Sequence, residues 1–475
     1  MKHFLSCACS LLLFGFAQAA LAEAGSAPGA TTTLDQKGKT VLMADDATGA
    51  AQLQGFNPAP KRIWMSGWQK SSQTLSWKVK APAEADYEVE LISSGIPAVR
   101  LEGGSAPLEA KLAPQGWQRQ TLGRIHLKNG DNTLTLSLPQ DLPSGGQLRS
   151  LDLLPVAARA DYDQRVKASR SSAAWMRGHY GVFLQYGAWG WPEHGDKKPW
   201  EEVVKAFDVE KFAKMVDEDM GAKWVIWSIT WRGSIFPMPL KSVDAIVPGH
   251  TTQRDLPADL IAALKKRGIK LMFYYHPGSE DPTWWAANWK DGHDKEKFIS
   301  NWQAVMTEIG SRYGEDLAGW FFDDGCVYSP APFEAMTRTA KTGFPGRLVS
   351  YNNWVLPSYT DFEDIQMGEG FTGSKATALG SDGVYKDGQH PGQQAHGMFS
   401  ITQPDWGIWN RDTKTTLTMN SAQALGILRQ AIPRGQAMSL NFNMYEDGSV
   451  TPETLDLFRQ VKQSMSAVPT PTVKP

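Results

Sequence analysis

An α/β architecture is predicted: a (β/α)8 barrel of the TIM type preceded by an all-β sandwich. Three observations carry this. The chain has 475 residues, enough for two domains or one large barrel with an appendage. From residue 39 to 157, apolar and polar residues alternate in short runs broken by Gly, Pro and Asn, the period of half-buried strands. From residue 176 to 466, β-branched and aromatic runs alternate with amphipathic stretches of helical spacing, the pattern of repeated β–α units.

Taken in order, residues 1–22 read as a secretory signal. Lys2 and His3 open it, Leu11 to Phe16 are apolar, and Ala20-Leu21-Ala22 is a small-x-small cleavage site. No other stretch approaches the ~18 apolar residues of a membrane span, so no membrane association is expected after cleavage. The predicted location is the periplasm or outside the cell. Two of the three cysteines, Cys7 and Cys9, leave with the signal, so Cys326 remains and no internal disulfide forms. Residues 24–35 are Ala/Gly/Ser/Thr-rich and read as a linker. The sandwich strands include Thr74–Val79, Tyr87–Leu91 and Asn132–Leu138, and a polar, helix-compatible connector spans Ala157–Met176.

Eight strands then follow: Tyr180–Tyr186, Trp224–Thr230, Lys270–His276, Gly319–Asp324, Leu348–Asn352, Ile365–Gly368, Gly397–Thr402 and Ala437–Asn443. Helices are expected at Asp208–Met220, Pro257–Arg267, Lys295–Tyr313, Pro332–Lys341, Ser421–Ile432 and Pro452–Met465. In the first, Phe212, Met215, Val216 and Met220 share one face. Gly268 and Gly314 stand where C-caps belong. Ala467–Pro475 is a Pro/Thr-rich tail.

Composition narrows the function. With 48 basic and 50 acidic residues the net charge is −2, which argues against a nucleic-acid partner. Nineteen tryptophans are far above the roughly six of average usage. They suit either a Trp-rich core or stacking on flat apolar faces such as sugars.

Chemistry in a barrel gathers at the C-terminal strand ends. There the sequence places Gln185, Trp231 and Arg232, His276, Asp323 and Asp324, Asn352 and Glu369. Carboxylates, amides and aromatics converge, and no phosphate loop is present. His276 with Asp323 and Asp324 could ligate a metal, but no His-x-x-x-His spacing supports one, so no metal or cofactor is expected. Two carboxylates flanking an acetal are what glycoside cleavage needs. Asp324 or Asp323 from strand four, with Glu369 from strand six, could lie about 5–5.5 Å apart, the retaining geometry. Adjacent residues on a strand point to opposite faces, so only one aspartate can enter the site. Glu363 is the second choice for the acid/base.

The order of these motifs resembles glycoside hydrolase family 29, the α-L-fucosidases. The carriers are Gly181–Gly187, Phe207–Lys214 with Gly221–Trp224, and Arg254-Asp255-Leu256 through Tyr274–Pro277. Phe322-Asp323-Asp324-Gly325, Trp406-Gly407 and Gly435–Gly448 with Leu440-Asn441 complete the series. The resemblance implies a retaining glycosidase acting by double displacement, with Asp324 as nucleophile and Glu369 as acid/base. Gln185 stands where the family has a sugar-binding His, and Ile229–Ser234 replaces a strand-two motif holding two more.

Gln185 can still pair with a hydroxyl, and Trp231 can stack on a ring. Arg232 would suit an anionic sugar, sulfated or uronic, unless it pairs with Glu369 or Asp323. His276, Asp323, Asn352 and Trp406 are further substrate-binding candidates, and Trp284, Trp285 and Trp409 further stacking walls. The N-terminal region resembles carbohydrate-binding modules of families 6 and 35 in Tyr87–Leu91, Gly116-Trp117 and Leu127–Leu136. The expected partner is an oligo- or polysaccharide. The rivals are a glycosidase of the same fold acting on another glycan, and a carbohydrate-binding protein without catalysis.

Overall fold

A computed structural model describes residues 29–56, 62–289, 295–368, 380, 382–386, 390–404, 406–408 and 411–465. Residues 1–22, where a signal was expected, and Glu369 therefore lie outside the described residues. The N-terminal part is a sandwich of a five-stranded and a six-stranded sheet. Its strands alternate as expected: in Leu75–Ala81, Leu75, Trp77, Val79 and Ala81 are buried while the residues between them are not. Strands Ala85–Ser94 and Gly146–Pro155 run side by side through the centre of the larger sheet. The core between the sheets is apolar, with Val89, Leu91, Leu134, Leu136, Leu151 and Leu153 fully enclosed.

The connector is a helix, Arg159–Ser169. Eight parallel strands follow: Tyr180–Leu184, Trp224–Ser228, Lys270–Tyr275, Leu317–Phe322, Leu348–Tyr351, Ile365–Gly368, Gln394–Ser400 and Ala437–Asn441. They are called barrel strands one to eight. Strands one to five pair in sequence order, as do six to eight, and strand eight returns to strand one. Between strands five and six no ladder is formed among the described residues. Asp364 bridges that seam: its N–H donates to Val349 O at 2.8 Å, and its Oδ2 accepts from Val349 N at 2.8 Å.

Helices start where side chains satisfy their first amide groups. Asp208 accepts from Lys211 N, and Asp255 from Ala258 N. Asn420 and Gln423 form a reciprocal capping box ahead of Ser421–Ala431. All six expected helices are present, although the first ends in a π-turn over Met215–Met220. Short helices at Trp200–Ala206, Lys241–Ile246 and Pro282–Asn288 were not foreseen. Strand seven begins at Gln394, three residues before its predicted start.

Two apolar layers follow from the alternation of each strand. Val182, Leu184, Trp227, Phe273, Tyr275, Trp320 and Phe322 face outward to the helices. Phe183, Ile226, Met272, Tyr274, Phe321, Met367 and Met398 fill the lumen. On strand four a register shift pairs Leu271 with Leu317 but Met272 with Gly319. That bulge at Ala318 changes the phase, so Phe321 points inward.

The domains meet over a buried charge cluster. Asp361, from the loop between strands five and six, accepts from Arg119 at 2.6 Å, Lys39 at 3.0 Å and Tyr162 Oη at 2.9 Å. Lys39 also reaches Glu90 at 2.8 Å. Ile63 of the sandwich joins the outer core of the barrel, and Trp64 and Trp117 pack against it. These two rings lie 5.0 Å apart. No tryptophan or tyrosine of the described sandwich residues is exposed. Trp117, one of the motif residues shared with carbohydrate-binding modules, packs at the domain junction.

Candidate active site

The lumen layer ends in a floor centred on Phe183. Its ring meets Tyr274 at 5.6 Å, Phe321 at 5.7 Å and Trp406 at 5.8 Å. Above it the strand ends supply polar groups. Gln185, two residues past Phe183 on strand one, is buried, and its Oε1 has no hydrogen-bond donor among the described residues. Trp231, after strand two, packs half-buried on the lumen layer, edge-on to Trp189 at 5.6 Å. Arg232 is exposed on the rim, its guanidinium 5.4 Å from the Trp231 ring centre.

Inward phase carries from Phe321 to Asp323. Asp323 Oδ2 accepts from Tyr274 Oη at 2.5 Å, and Oδ1 from Asn352 Nδ2 at 2.7 Å. Asp323 keeps partial access to solvent. Burial, and after it the charge of Asp324, raises its pKa, while His276 and the two hydrogen bonds oppose the rise. The result is a carboxylate whose geometry is set by two neutral donors over an aromatic floor.

Asp324 is placed differently. It is buried, its backbone is left-handed at φ 47° and ψ 49°, and it opens the short helix Gly325–Tyr328. Its Oδ2 lies 3.1 Å from His276 Nε2. Of the two aspartates expected at the strand-four end, Asp323 keeps access to solvent and Asp324 is enclosed. The bulge at Ala318 gives this arrangement, because it shifts the inward parity of strand four by one residue.

His276 is buried between two carboxylates, with Glu280 Oε2 3.1 Å from Nδ1 on its other side. Burial lowers its pKa, yet Glu280 and Asp324 together raise it above the ordinary value. Gly278 N also points at Nδ1, at 3.1 Å, so the neutral ring accepts there and the cation pairs with Glu280. Thr230 Oγ1 accepts from His276 N and donates to His276 O, which ties strand two to strand three. His276, Glu280 and Asp324 approach closely enough to hold a cation, but their mutual contacts already explain the cluster.

Asn352 is a positioning group as well as a candidate ligand. Its N–H donates to Phe322 O and its carbonyl accepts from Gly325 N, so it clamps both sides of the aspartate pair. Glu363 does not reach the mouth. It precedes strand six, is 1% exposed, and accepts from Tyr351 N at 2.9 Å. Burial pushes its pKa up to about 8. Trp284 is a core residue, donating from Nε1 to Pro277 O, and Trp285 stacks on Trp289. Trp409 lies outside the described residues.

Sequence reasoning missed Tyr274, Thr230 and Glu280. Glu280 follows His276 by four residues on one loop, a signal that was available. Tyr274 was readable only as a strand residue.

Comparison with known proteins identifies this barrel. The profile of the α-L-fucosidase family matches residues 159–467. The chain belongs to that family. It is a glycosidase of fucosidase type, and the match begins at the connector helix and leaves the sandwich outside. Among solved structures it is similar to a family 29 α-L-fucosidase from Bacteroides thetaiotaomicron, at 17% identity and a TM-score of 0.44, covering 62% of this chain and 74% of that one. It is also similar to an α-fucosidase of Thermotoga maritima, at 15% identity and TM-score 0.42, over 63% and 74% of the two chains. An endo-fucoidan hydrolase of glycoside hydrolase family 107 aligns at 15% identity and TM-score 0.46, over 64% and 95%. No curated protein sequence matches this fucosidase-family chain. No described helix is long and apolar enough to cross a membrane.

Proposed function

We propose that this chain is an exported retaining glycosidase that releases α-L-fucosyl or closely related sugars, with Asp323 as its nucleophile. The observation that carries the assignment is the hold on Asp323 by Tyr274 and Asn352 above the Phe183 floor. In the first step a carboxylate oxygen of Asp323 attacks the anomeric carbon as the glycosidic C–O bond breaks. A general acid protonates the leaving oxygen. In the second step that group, now a base, takes a proton from water, and the water oxygen displaces Asp323. Donors already aimed at Asp323 keep it from rotating during attack. Glu369, next in sequence after Gly368, stays the acid/base candidate, and Glu280 is the described alternative because it is partly exposed beside His276. Gln185 offers an unfilled acceptor to a sugar hydroxyl.

The rim supports a glycan bearing negative charge. Arg232 lies over Trp231, and Lys197 lies 5.2 Å from the Trp191 ring centre, so exposed cations accompany half-buried aromatic faces. A sulfated or uronic-acid-bearing fucan would meet both.

The test is turnover of an aryl α-L-fucoside and of sulfated fuco-oligosaccharides by the mature protein and its Asp323→Ala variant. Turnover lost in Asp323→Ala supports the assignment. Cleavage of another aryl glycoside but not the fucoside would replace fucose with that sugar.

A further inference from the structure

Arg149 brings the sandwich to the back of the active site. Arg149, on its strand Gly146–Pro155, is 1% exposed and donates from Nη1 to Ile63 O at 2.7 Å. Among the described residues no carboxylate pairs with it, and Nη2 has no acceptor. Its guanidinium carbon lies 4.4 Å from the ring centre of Tyr359, a barrel residue. That ring is buried and presses on Gly325: a Cβ there would fall 2.6 Å from a ring carbon. Gly325 N in turn donates to Asn352 O at 3.0 Å, and Asn352 Nδ2 holds Asp323.

We propose that Arg149 positions the loop Asp323–Gly325 through the ring of Tyr359, which makes the sandwich a working part of the active site. The inference rests on the reading of the barrel mouth as a glycosidase site. A buried cation without a counter-charge is costly, and an apolar side chain of similar length fills such a position as well or better. A guanidinium at this place does something an apolar chain cannot: it attracts the ring face and fixes the ring's tilt. The tilt matters because Gly325 has no Cβ, so the ring edge meets backbone directly. Displacement of that backbone moves Asn352 and Asp323 together. Tyr359 also lies within electrostatic reach of both Arg149 and Asp324. The sandwich thus adds a strut behind the nucleophile.

The experiment uses the full-length mature protein with Arg149→Met, Tyr359→Leu and Tyr359→Phe. Each is followed by steady-state kinetics on an aryl α-L-fucoside, thermal melting, and amide hydrogen exchange of residues 323–328. Arg149→Met is expected to keep its melting temperature and its KM while kcat falls about 30- to 100-fold, the usual effect of misplacing a reacting group by about 1 Å. Exchange over 323–328 should speed up about tenfold, as local opening becomes easier. Tyr359→Phe should behave as wild type because the ring face is kept, whereas Tyr359→Leu should match Arg149→Met.

Unchanged kcat and unchanged exchange in Arg149→Met would overturn the proposal. So would a loss in Tyr359→Phe equal to that in Tyr359→Leu, since the hydroxyl and not the face would then be responsible. Should Arg149→Met not fold, the contrast between Tyr359→Leu and Tyr359→Phe decides alone. Should the wild type cleave no fucoside, the fucose reading fails, and hydrogen exchange, which needs no substrate, still decides the strut.

Discussion

Asp361 at the domain junction and Asp323 at the barrel mouth are both enclosed by protein, yet they are held in opposite ways. Asp361 receives two cations and a phenol, and its pKa is driven well below the ordinary carboxylate value; burial alone would raise it, but Lys39 and Arg119 win. Asp323 receives a phenol and an amide, has a second aspartate beside it, and its pKa moves up. Charge saturation makes Asp361 a fastener. Neutral donors leave Asp323 with its direction fixed and its charge unspent, which suits a group that must form and break a bond.

Substitutions separate these two roles, and the largest effect is expected at the mouth. Asp323→Ala should lower kcat by at least about 10⁴-fold on aryl α-L-fucoside while leaving the melting temperature intact. Asp324→Ala should cost about 10- to 100-fold, through release of His276. Initial rates of the two variants give the ranking, and the reverse order would return the nucleophile to Asp324.

At the junction the loss should appear in stability instead. Asp361→Asn strands Lys39 and Arg119 without their shared counter-charge and should cost about 3–5 kcal/mol in denaturant titration. Well below its melting temperature, kcat should match wild type. Because the folded pKa of Asp361 is depressed, its contribution is present above the ordinary carboxylate pKa and fades as pH falls through the folded value.

Glu363 carries the opposite sign. Its folded pKa, about 8, exceeds the unfolded value of 4.5. The protein should therefore lose stability as pH climbs between those values, because only the unfolded chain releases the proton there. Glu363→Gln keeps an acceptor for Tyr351 N–H and removes that loss. Melting at pH 5 and pH 8 should show the variant ahead of wild type only at the higher pH.

The smallest effect is expected at the rim. Arg232→Gln should leave aryl fucoside turnover within about threefold and weaken a sulfated oligosaccharide by about tenfold in KM, as suits one partly screened charge. Equal effects on both substrates would show that Arg232 braces Trp231 and does not read an anion.

Much of this was legible before the structure. All eight barrel strands fall within a few residues of the expected runs, because aromatic and β-branched runs bounded by Gly and capped helices leave little ambiguity. Gln185, Trp231, Arg232, His276, Asp323, Asn352 and Trp406 do meet at one end of the barrel, since parallel strands deliver their C-terminal ends to one rim. Less legible was which aspartate turns inward. A bulge at Ala318 leaves no mark in composition or spacing, yet it reverses the parity of everything after it on strand four. The place of Trp117 was not legible either: only the docking of the sandwich shows that it packs beside Trp64 on the barrel.

What the chain encoded locally was its periodicity: two rhythms, their boundary near residue 157, and the set of residues at the strand ends. Those follow from short-range sterics and the burial of one face, which a linear pattern records. What tertiary structure decided was partnership: Tyr274 with Asp323, Asp324 with His276, Arg149 with Tyr359, Asp361 with Lys39 and Arg119. The residues in these pairs stand tens to hundreds of positions apart. Their chemistry depends on distance and desolvation, and neither exists until the barrel closes and the sandwich docks.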